Sequence, residues 1–240
     1  MVRHLCIGLA LLVVVGCNTQ AKWTYPLDPT GLYRSGVSGS RLEVAVLPFQ
    51  ESRPVVNRSA TFLLYLIPLV PYGWVTYERP EAARMFNTIG SYEFQLDEDL
   101  AKAAVRSLDV SGLFDRVYFT FGGEAENADL VLQGVARRTQ YHGKIISYGL
   151  SVWGPMLWFI GLPAGTSTNR FEITLSLTNH QREEVWSYTF SGDESITQGL
   201  YYNWGNDALN FAALMETGMN RALQDLASKL PDIERAIPTR

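Results

Sequence analysis

The stretch Leu42–Phe49, LEVAVLPF, is the part of the chain that decides the fold. Branched and apolar residues dominate it without clean alternation, which is typical of a strand that is covered on both faces in the middle of a sheet. Pro48 cannot donate a hydrogen bond to a neighbouring strand, so it marks the end of this one. The sequence therefore predicts a central strand near the start of the folded domain.

Two segments further along the chain have the period of an amphipathic helix. In Phe94–Ser111 the apolar residues fall on one face, the acidic run 97–99 suits the positive end of a helix, and Gly112 is a common terminating residue. The second segment, about Asp207–Leu230, also keeps a helical period. Proline disrupts the interior of a helix, so we expect Pro231 to end it.

Four more segments are rich in branched and aromatic residues and are predicted as strands. They are Arg116–Phe121, Ala128–Ala136, Phe171–Leu177 and Val185–Phe190. The polar residues 179–182 separate the last two strands, which therefore form a hairpin. The order of strand, helix, strand, strand, hairpin and helix predicts an α+β fold, with a mixed sheet and two main helices on one face.

The pattern of residues 41–136 resembles a group of bacterial envelope proteins. The resemblance is carried by LEVAVLPF, by RSLDVSGLFDRVYF at Arg106–Phe119 and by ADLVLQGVA at Ala128–Ala136. The group includes the amino-terminal domain of the translocation protein TolB, the curli secretion lipoprotein and the lipoprotein activators of peptidoglycan synthases. The resemblance implies the α+β fold and a binding, assembly or pore-forming role, and it brings no catalytic residues with it.

An export signal is predicted at the beginning of the chain. Arg3 and His4 precede the apolar run Leu5–Val15, about 11 residues long, and the chain turns polar directly after Cys17. A membrane-spanning helix needs roughly 20 apolar residues. Residues 1–16 are therefore predicted to be a signal peptide that is removed.

The order Val14, Val15, Gly16, Cys17 resembles the lipobox of bacterial lipoproteins. The resemblance implies cleavage before Cys17, a diacylglyceryl thioether on its sulfur, and a further acyl chain such as palmitate on the new amino terminus. This chemistry needs a nucleophilic thiol and a small residue at the cut, which Cys17 and Gly16 provide. Asn18 stands where an aspartate commonly retains such proteins in the inner membrane, so we expect an anchor in the outer membrane that faces the periplasm.

The segment 17–40 is rich in Pro, Gly, Ser and Thr and has neither a helical nor a strand period. It is predicted to be the lipidated terminus and a flexible tether, with a reach of roughly 25 Å. Trp23, Tyr25 and Tyr33 are expected either at the membrane interface or packed on the domain. Residues 41–240 are predicted to form a single domain, since a mature chain of about 220 residues with 47% hydrophobic content suits one core.

Charge and cysteine content exclude several functions. The formal net charge of -4 becomes -5 when Arg3 is removed (-4 minus 1), so the chain has no electrostatic footprint for nucleic acid. Cys17 would be the only mature cysteine, which excludes a disulfide, a thiolate metal site and a cysteine nucleophile. His142 and His180 lie in no catalytic motif, and no phosphate-binding loop is found. We expect no enzymatic activity, no metal and no cofactor besides the lipid on Cys17.

Two apolar insertions, at residues 62–77 and 145–165, do not fit a plain domain of this kind. They read FLLYLIPLVPYGWVTY and IISYGLSVWGPMLWFIGLPAG, and the prolines in each make a straight transmembrane helix improbable. We expect them to meet on one side of the domain. Three interpretations stay open: a second small core, a shallow contact with the membrane interface, or an oligomer contact. The candidate surface residues are Leu66, Leu69, Tyr72, Trp74, Trp153, Met156, Trp158 and Phe159.

The sequence thus predicts a membrane-anchored lipoprotein that binds or scaffolds other envelope components without catalysis. Its partner would be an envelope protein or a second copy of the chain. The alternative is a subunit of an oligomeric outer-membrane secretion pore of the curli-secretion type. Pore strands alternate lipid-facing and lumen-facing residues, whereas FLLYLIPLV is apolar throughout. An enzyme of unknown class is the third hypothesis.

Overall fold

A computed structural model of the chain describes residues 19–36, 39–82, 89–204 and 209–237. The strands, in chain order, are β1 Thr19–Lys22, β2 Ser40–Val46, β3 Gln50–Glu51, β4 Asn57–Arg58, β5 Tyr72–Tyr77, β6 Ile89–Glu93, β7 Phe114–Phe119, β8 Leu130–Ile146, β9 Pro163–Thr178 and β10 Glu184–Gly199. The α-helices are α1 Leu96–Ser111, α2 Pro155–Trp158 and α3 Phe211–Ala236. Short 3-10 helices lie at Ala60–Leu66, Pro80–Ala82, Ala125–Asn127 and Ser151–Trp153. The predicted α+β class is confirmed.

The main sheet has the strand order β10-β9-β8-β2-β7. β2 pairs in parallel with both β7 and β8, whereas β8, β9 and β10 form an antiparallel meander. β3 and β5 pair with later parts of β8, β4 pairs with β5, and β1 and β6 form a separate parallel pair. The central position predicted from Leu42–Phe49 is confirmed, since β2 lies between two strands.

The main core lies between one face of this sheet and the helices α1 and α3. Alternate residues of each strand point into it, so Val44 and Val46 face the helices while Ala45 faces a smaller cluster on the other side. Leu100 of α1 and Met215 of α3 are fully buried in the main core. Both predicted helices therefore pack on the same face of the sheet, as their apolar stripes require.

The strands β8, β9 and β10 continue past the end of β2 into a region that we call the arm. The register of β8 shifts between Ala136 and Arg138, and beyond the shift β8 pairs with β5 instead of β2. The arm consists of β5, Thr139–Ile146 of β8, Pro163–Phe171 of β9 and Gly192–Gly199 of β10. It is the arm that positions the candidate site.

Three strands are longer than predicted because they continue into the arm. β8 was predicted to end at Ala136, and it continues to Ile146 through the polar-looking residues 137–144. These residues belong to the strand because from Thr139 onward every second residue is turned inward, as the buried Tyr141 and Ile145 show. β9 and β10 exceed their predicted bounds toward the arm in the same way.

Residues 19–36 pack on the domain, so the prediction of a flexible tether is wrong for this part of the chain. β1 pairs with β6, and both Trp23 and Leu32 are buried. The Tyr33 amide donates a 2.8 Å hydrogen bond to the side-chain oxygen of Asn220 on α3. Burying these apolar side chains on the domain is more favourable than leaving them in water on a free tether.

Pro231 does not end the last helix, which corrects a second prediction. α3 runs to Ala236 with the proline inside it. Proline removes one backbone hydrogen bond, but Ile233 beyond it is buried in the main core, and this packing holds the final turn in place. The predicted start at Asp207 lies outside the described residues, and helix α3 begins at Phe211.

Gly16, Cys17 and Asn18, on which the lipidation and sorting predictions depend, also lie outside the described residues. Those predictions stay predictions.

Candidate functional site

The free end of the arm carries three apolar loops, which we call the distal tip. They are residues 60–72 before and into β5, residues 147–162 between β8 and β9, and residues 200–204 after β10. The hairpin connecting β9 to β10, at residues 179–183, lies at the opposite end of the same strands. The tip is therefore the end of the sheet that lies furthest from that hairpin.

Backbone hydrogen bonds join the first two loops. The Leu69 amide donates to the Gly149 carbonyl at 2.9 Å, and the Ser147 amide donates to the Pro71 carbonyl at 2.8 Å. Gly154 allows this part of the tip to fold closely, because a side chain there would come within 2.6 Å of the Ser147 backbone. The structure thus brings the two predicted insertions together.

The eight predicted surface residues divide into two groups. Trp74 and Trp158 are half-buried and stabilise the tip, since the Trp158 indole donates to the Ile146 carbonyl at 3.0 Å and its ring lies 6.4 Å from that of Trp204. The other six are exposed, and Leu69 reaches 90% exposure. These six are Leu66, Leu69, Tyr72, Trp153, Met156 and Phe159. A second small core accounts for only part of the tip.

Several exposed apolar residues of the tip were not among the predicted ones. They are Leu63, Ile67, Leu150, Val152, Ile160, Leu162, Tyr201, Tyr202 and Trp204. The third loop was missed altogether. Its signal in the sequence is the cluster LYYNW at residues 200–204, which is apolar and aromatic but too short to stand out as an insertion.

Four hydroxyl groups of the tip donate to backbone carbonyls in or directly beside it. The hydroxyls of Ser147 and Ser151 donate to the carbonyls of Val70 and Leu66, at 2.8 and 2.6 Å. The Tyr148 and Tyr201 hydroxyls donate in the same way to the carbonyls of Pro163 and Phe159, at 2.7 and 2.9 Å. What the tip presents outward is therefore mainly hydrocarbon.

No ionisable Asp, Glu, Lys, Arg or His occurs in residues 59–77, 145–169 or 195–204. The charged residues that border these segments in the chain are Arg58, Glu78, Lys144, Arg170 and Glu194. The Lys144 ammonium lies 5.4 Å from the centre of the Tyr72 ring. The charge-free region thus includes the tip and the adjoining part of the arm, and Lys144 is the charged residue of β8 nearest to the tip.

His142 lies on the arm, with its Nδ1 2.9 Å from the Thr76 hydroxyl. Burial lowers its pKa, and the positive charges of Lys144 and Arg170 lower it further, so the ring is neutral at pH 7. His180 lies in the hairpin at the opposite end of the strands. Within the described ranges, no three His, Cys, Asp or Glu side chains are grouped in a way that could hold a metal ion.

A cleft of about 520 Å³ connects the start of the described chain with the base of the tip. Lys22 and Trp23 line one side of it, and Ile196 and Asn203 line the other. The amino-terminal strand β1 therefore lies beside the arm. Across the residues that the structure describes, no helix is long and apolar enough to cross a membrane.

Comparisons with known proteins give similarities of structure only. No protein-family model matches the chain, and no curated protein matches it by sequence. Protein XCC0632 from Xanthomonas campestris, of the family DUF330, matches with a TM-score of 0.46 and 14% identity, over 91% of this chain and 97% of that one.

Two further solved structures are similar to the chain. A PelC dodecamer from Paraburkholderia phytofirmans matches with a TM-score of 0.40 and 16% identity, over 80% of this chain and 94% of that one. Lipoprotein GNA1162 from Neisseria meningitidis matches with a TM-score of 0.24 and 14% identity, over 78% of this chain and 99% of that one. Similarities this weak carry no functional argument, so the function has to be argued from the site.

Proposed function

We propose that this protein is a lipid-anchored, non-catalytic component of the bacterial envelope that binds through its distal tip. The observation that carries the proposal is the tip itself: three loops without a single ionisable Asp, Glu, Lys, Arg or His that expose aliphatic and aromatic side chains together. Soluble proteins rarely leave a contiguous apolar surface of this kind in water unless something binds it.

The lipobox-like residues Gly16 and Cys17 support the anchor, because a lipid there would hold the domain at a membrane. The tip also supports a binding role over a catalytic one. Four of its hydroxyls donate to backbone carbonyls, and the neutral His142 lies on the arm, outside the tip. A surface of this composition offers contact area rather than acid–base or nucleophilic groups.

The test combines the anchor with the binding surface in intact cells. A photo-crosslinking amino acid at Phe159, in the tip, is compared with the same amino acid at the exposed Gln181, in the opposite hairpin. We expect reproducible adducts with envelope components from position 159 and none from position 181. Cys17→Ser should abolish labelling with radioactive palmitate. Normal palmitate labelling of that variant, or equal adducts from the two positions, would contradict the proposal.

A further inference from the structure

We propose that the distal tip inserts shallowly into the membrane that carries the amino-terminal lipid, with Lys144 at the level of the lipid headgroups. This inference rests on the proposed function and names what the tip binds: the boundary between the headgroups and the acyl chains of a bilayer. Four features of the described residues carry it.

The first feature is the shape of the apolar surface. The most exposed apolar side chains stand on separate loops: Leu69 on the first, Trp153 and Ile160 on the second, and Tyr201 on the third. Side chains that protrude from three separate loops suit a lipid bilayer, because fluid lipid can surround and contact each of them. A protein partner would need a matching pocket for each loop, and a protein interface surrounds its apolar core with a polar rim, whereas these three loops carry no Asp, Glu, Lys, Arg or His.

The second feature is the satisfaction of polar groups. A segment that enters a bilayer must satisfy its own backbone, because acyl chains offer no hydrogen bonds. The 3-10 helix Ala60–Leu66 and the bonds between Leu69 and Gly149 and between Ser147 and Pro71 supply such internal bonds in the first two loops. Four hydroxyls of the second and third loops donate to carbonyls, so inserting these groups does not require stripping water from free hydroxyls.

The third feature is the position of the nearest charge. Lys144 pairs with Trp74 across the sheet and precedes Ile146, the last residue of β8, by two positions. Two strand residues span about 7 Å, which matches the roughly 5–10 Å depth to which amphipathic surfaces enter a bilayer. The Lys144 side chain can therefore reach phosphate groups while the loops contact acyl chains.

The fourth feature is the location of the amino terminus. Lys22 and Trp23 line the same cleft as Asn203 of the third loop. Cys17 precedes Lys22 by five residues, which span at most about 18 Å of extended chain. A lipid on Cys17 would therefore start within about 18 Å of Lys22, a distance that lets anchor and tip reach the same membrane surface.

The experiment uses the complete lipoprotein, purified in detergent and returned to vesicles. Ile160→Cys in the tip and Gln181→Cys in the opposite hairpin each receive an environment-sensitive NBD label. The unsubstituted lipoprotein, in which Cys6 has been removed with the signal peptide and the Cys17 sulfur carries the lipid, measures non-specific labelling. The vesicles are phosphatidylcholine with or without phosphatidylglycerol. We expect the label at position 160 to shift its emission to the blue and to be quenched by lipids with a doxyl group near the headgroup. The label at position 181 should do neither.

Two substitutions test which contacts hold the tip in place. Lys144→Gln should lower the ratio of inserted to free tip about fivefold in the anionic vesicles, and less in neutral ones. Lys229→Gln removes an exposed lysine of α3 and serves as the matched control, with no change expected. Ile160→Glu should prevent crosslinks from the tip to lipid. Val55→Glu, at a residue of the same exposure outside the tip (73% against 74%), should not.

The outcomes separate this inference from the proposed function. A label at position 160 that stays in water overturns the inference. A blue shift of the emission that is not quenched by the doxyl lipids and grows with protein density also overturns the inference. The tip would then be covered by a second copy of the chain. If crosslinks to a specific envelope protein persist in either case, the proposed function stands without the inference. If Cys17 carries no lipid, the proposed function fails whatever the label reports.

Discussion

Arg53 is a single residue that ties the arm to the core. It is the one charged side chain that is buried among the residues that the structure describes, with 1% of the side chain exposed. Its guanidinium donates to Glu51, to Glu81 and to the hydroxyl of Thr139, just beyond the register shift in β8. Three separate segments therefore meet at one cation.

Removing that cation should destabilise the whole protein. In Arg53→Met the side chain keeps its approximate volume, but the carboxylates of Glu51 and Glu81 lose their buried partner, which costs about 3 kcal/mol of unfolding free energy. Urea denaturation measures the loss. The matched control is Arg116→Met, which removes an exposed ion pair with Glu43 at 3.8 Å and should cost about 1 kcal/mol or less. Equal effects of the two substitutions would show that the buried network contributes nothing special.

At the scale of elements, the contact between α3 and β10 depends on the absence of a side chain at Gly218. A Cβ atom there would lie 2.1 Å from the Phe190 ring, so the helix can approach the strand only because this residue is glycine. Gly218 is itself buried inside α3. Glycine normally weakens a helix relative to alanine, and here close packing outweighs that cost.

Gly218→Ala should therefore destabilise the protein even though alanine is the better helix former. We expect a loss of about 1–3 kcal/mol, the usual range for overpacking a core, measured as a lower midpoint of thermal or urea unfolding. Phe190→Leu removes the obstructing ring, so Gly218→Ala should cost less stability when it is made in the Phe190→Leu variant than when it is made in the parent protein. A Gly218→Ala variant that melts later than the parent would mean that helix propensity decides at this position.

Some of these elements are predictable from the sequence because one local pattern determines them. β2 is recognisable as a central strand because LEVAVLPF suits burial on both faces. α1 is recognisable because its apolar stripe ends where Gly112 terminates the helix. The arm is different. Its strands face outward with residues such as Arg138 and His142, and this polar side hides the inward alternation of Tyr141 and Ile145.

The elements that were predicted wrongly depend on contacts between residues that are far apart in the sequence. Pro231 lies inside α3 because Ile233 beyond it contacts the main core, and residues 19–36 are ordered against α3 by contacts such as that of Tyr33 with Asn220. Neither contact can be inferred from the composition of the local sequence. The same holds for the tip: its apolar loops are visible in the sequence, but the bonds that join Leu69 to Gly149 depend on the register of β5 against β8.

At the scale of the whole molecule, the chain combines a helix-covered core with an arm that lies partly beyond it. Most fully buried large side chains, such as Met215, Phe211 and Leu108, belong to the core. The tip is held mainly by hydrogen bonds and by half-buried rings such as Trp158. Local opening of a protein is easiest where few apolar contacts are buried, so the tip should open without unfolding the core.

Trp158→Ala tests this division of stability. It removes the donor to the Ile146 carbonyl and the contact with Trp204, and should cost the tip about 2–3 kcal/mol, at or below the low end for a buried tryptophan because this ring is half-buried. Hydrogen exchange should accelerate in residues 62–77 and 145–165 while the amides of α1 and α3 keep their rates. Phe159→Ala, at the exposed neighbour, is the control and should leave exchange in both regions unchanged. Equal acceleration across the tip and both helices would mean that the molecule opens as one cooperative unit, with the tip as part of its core.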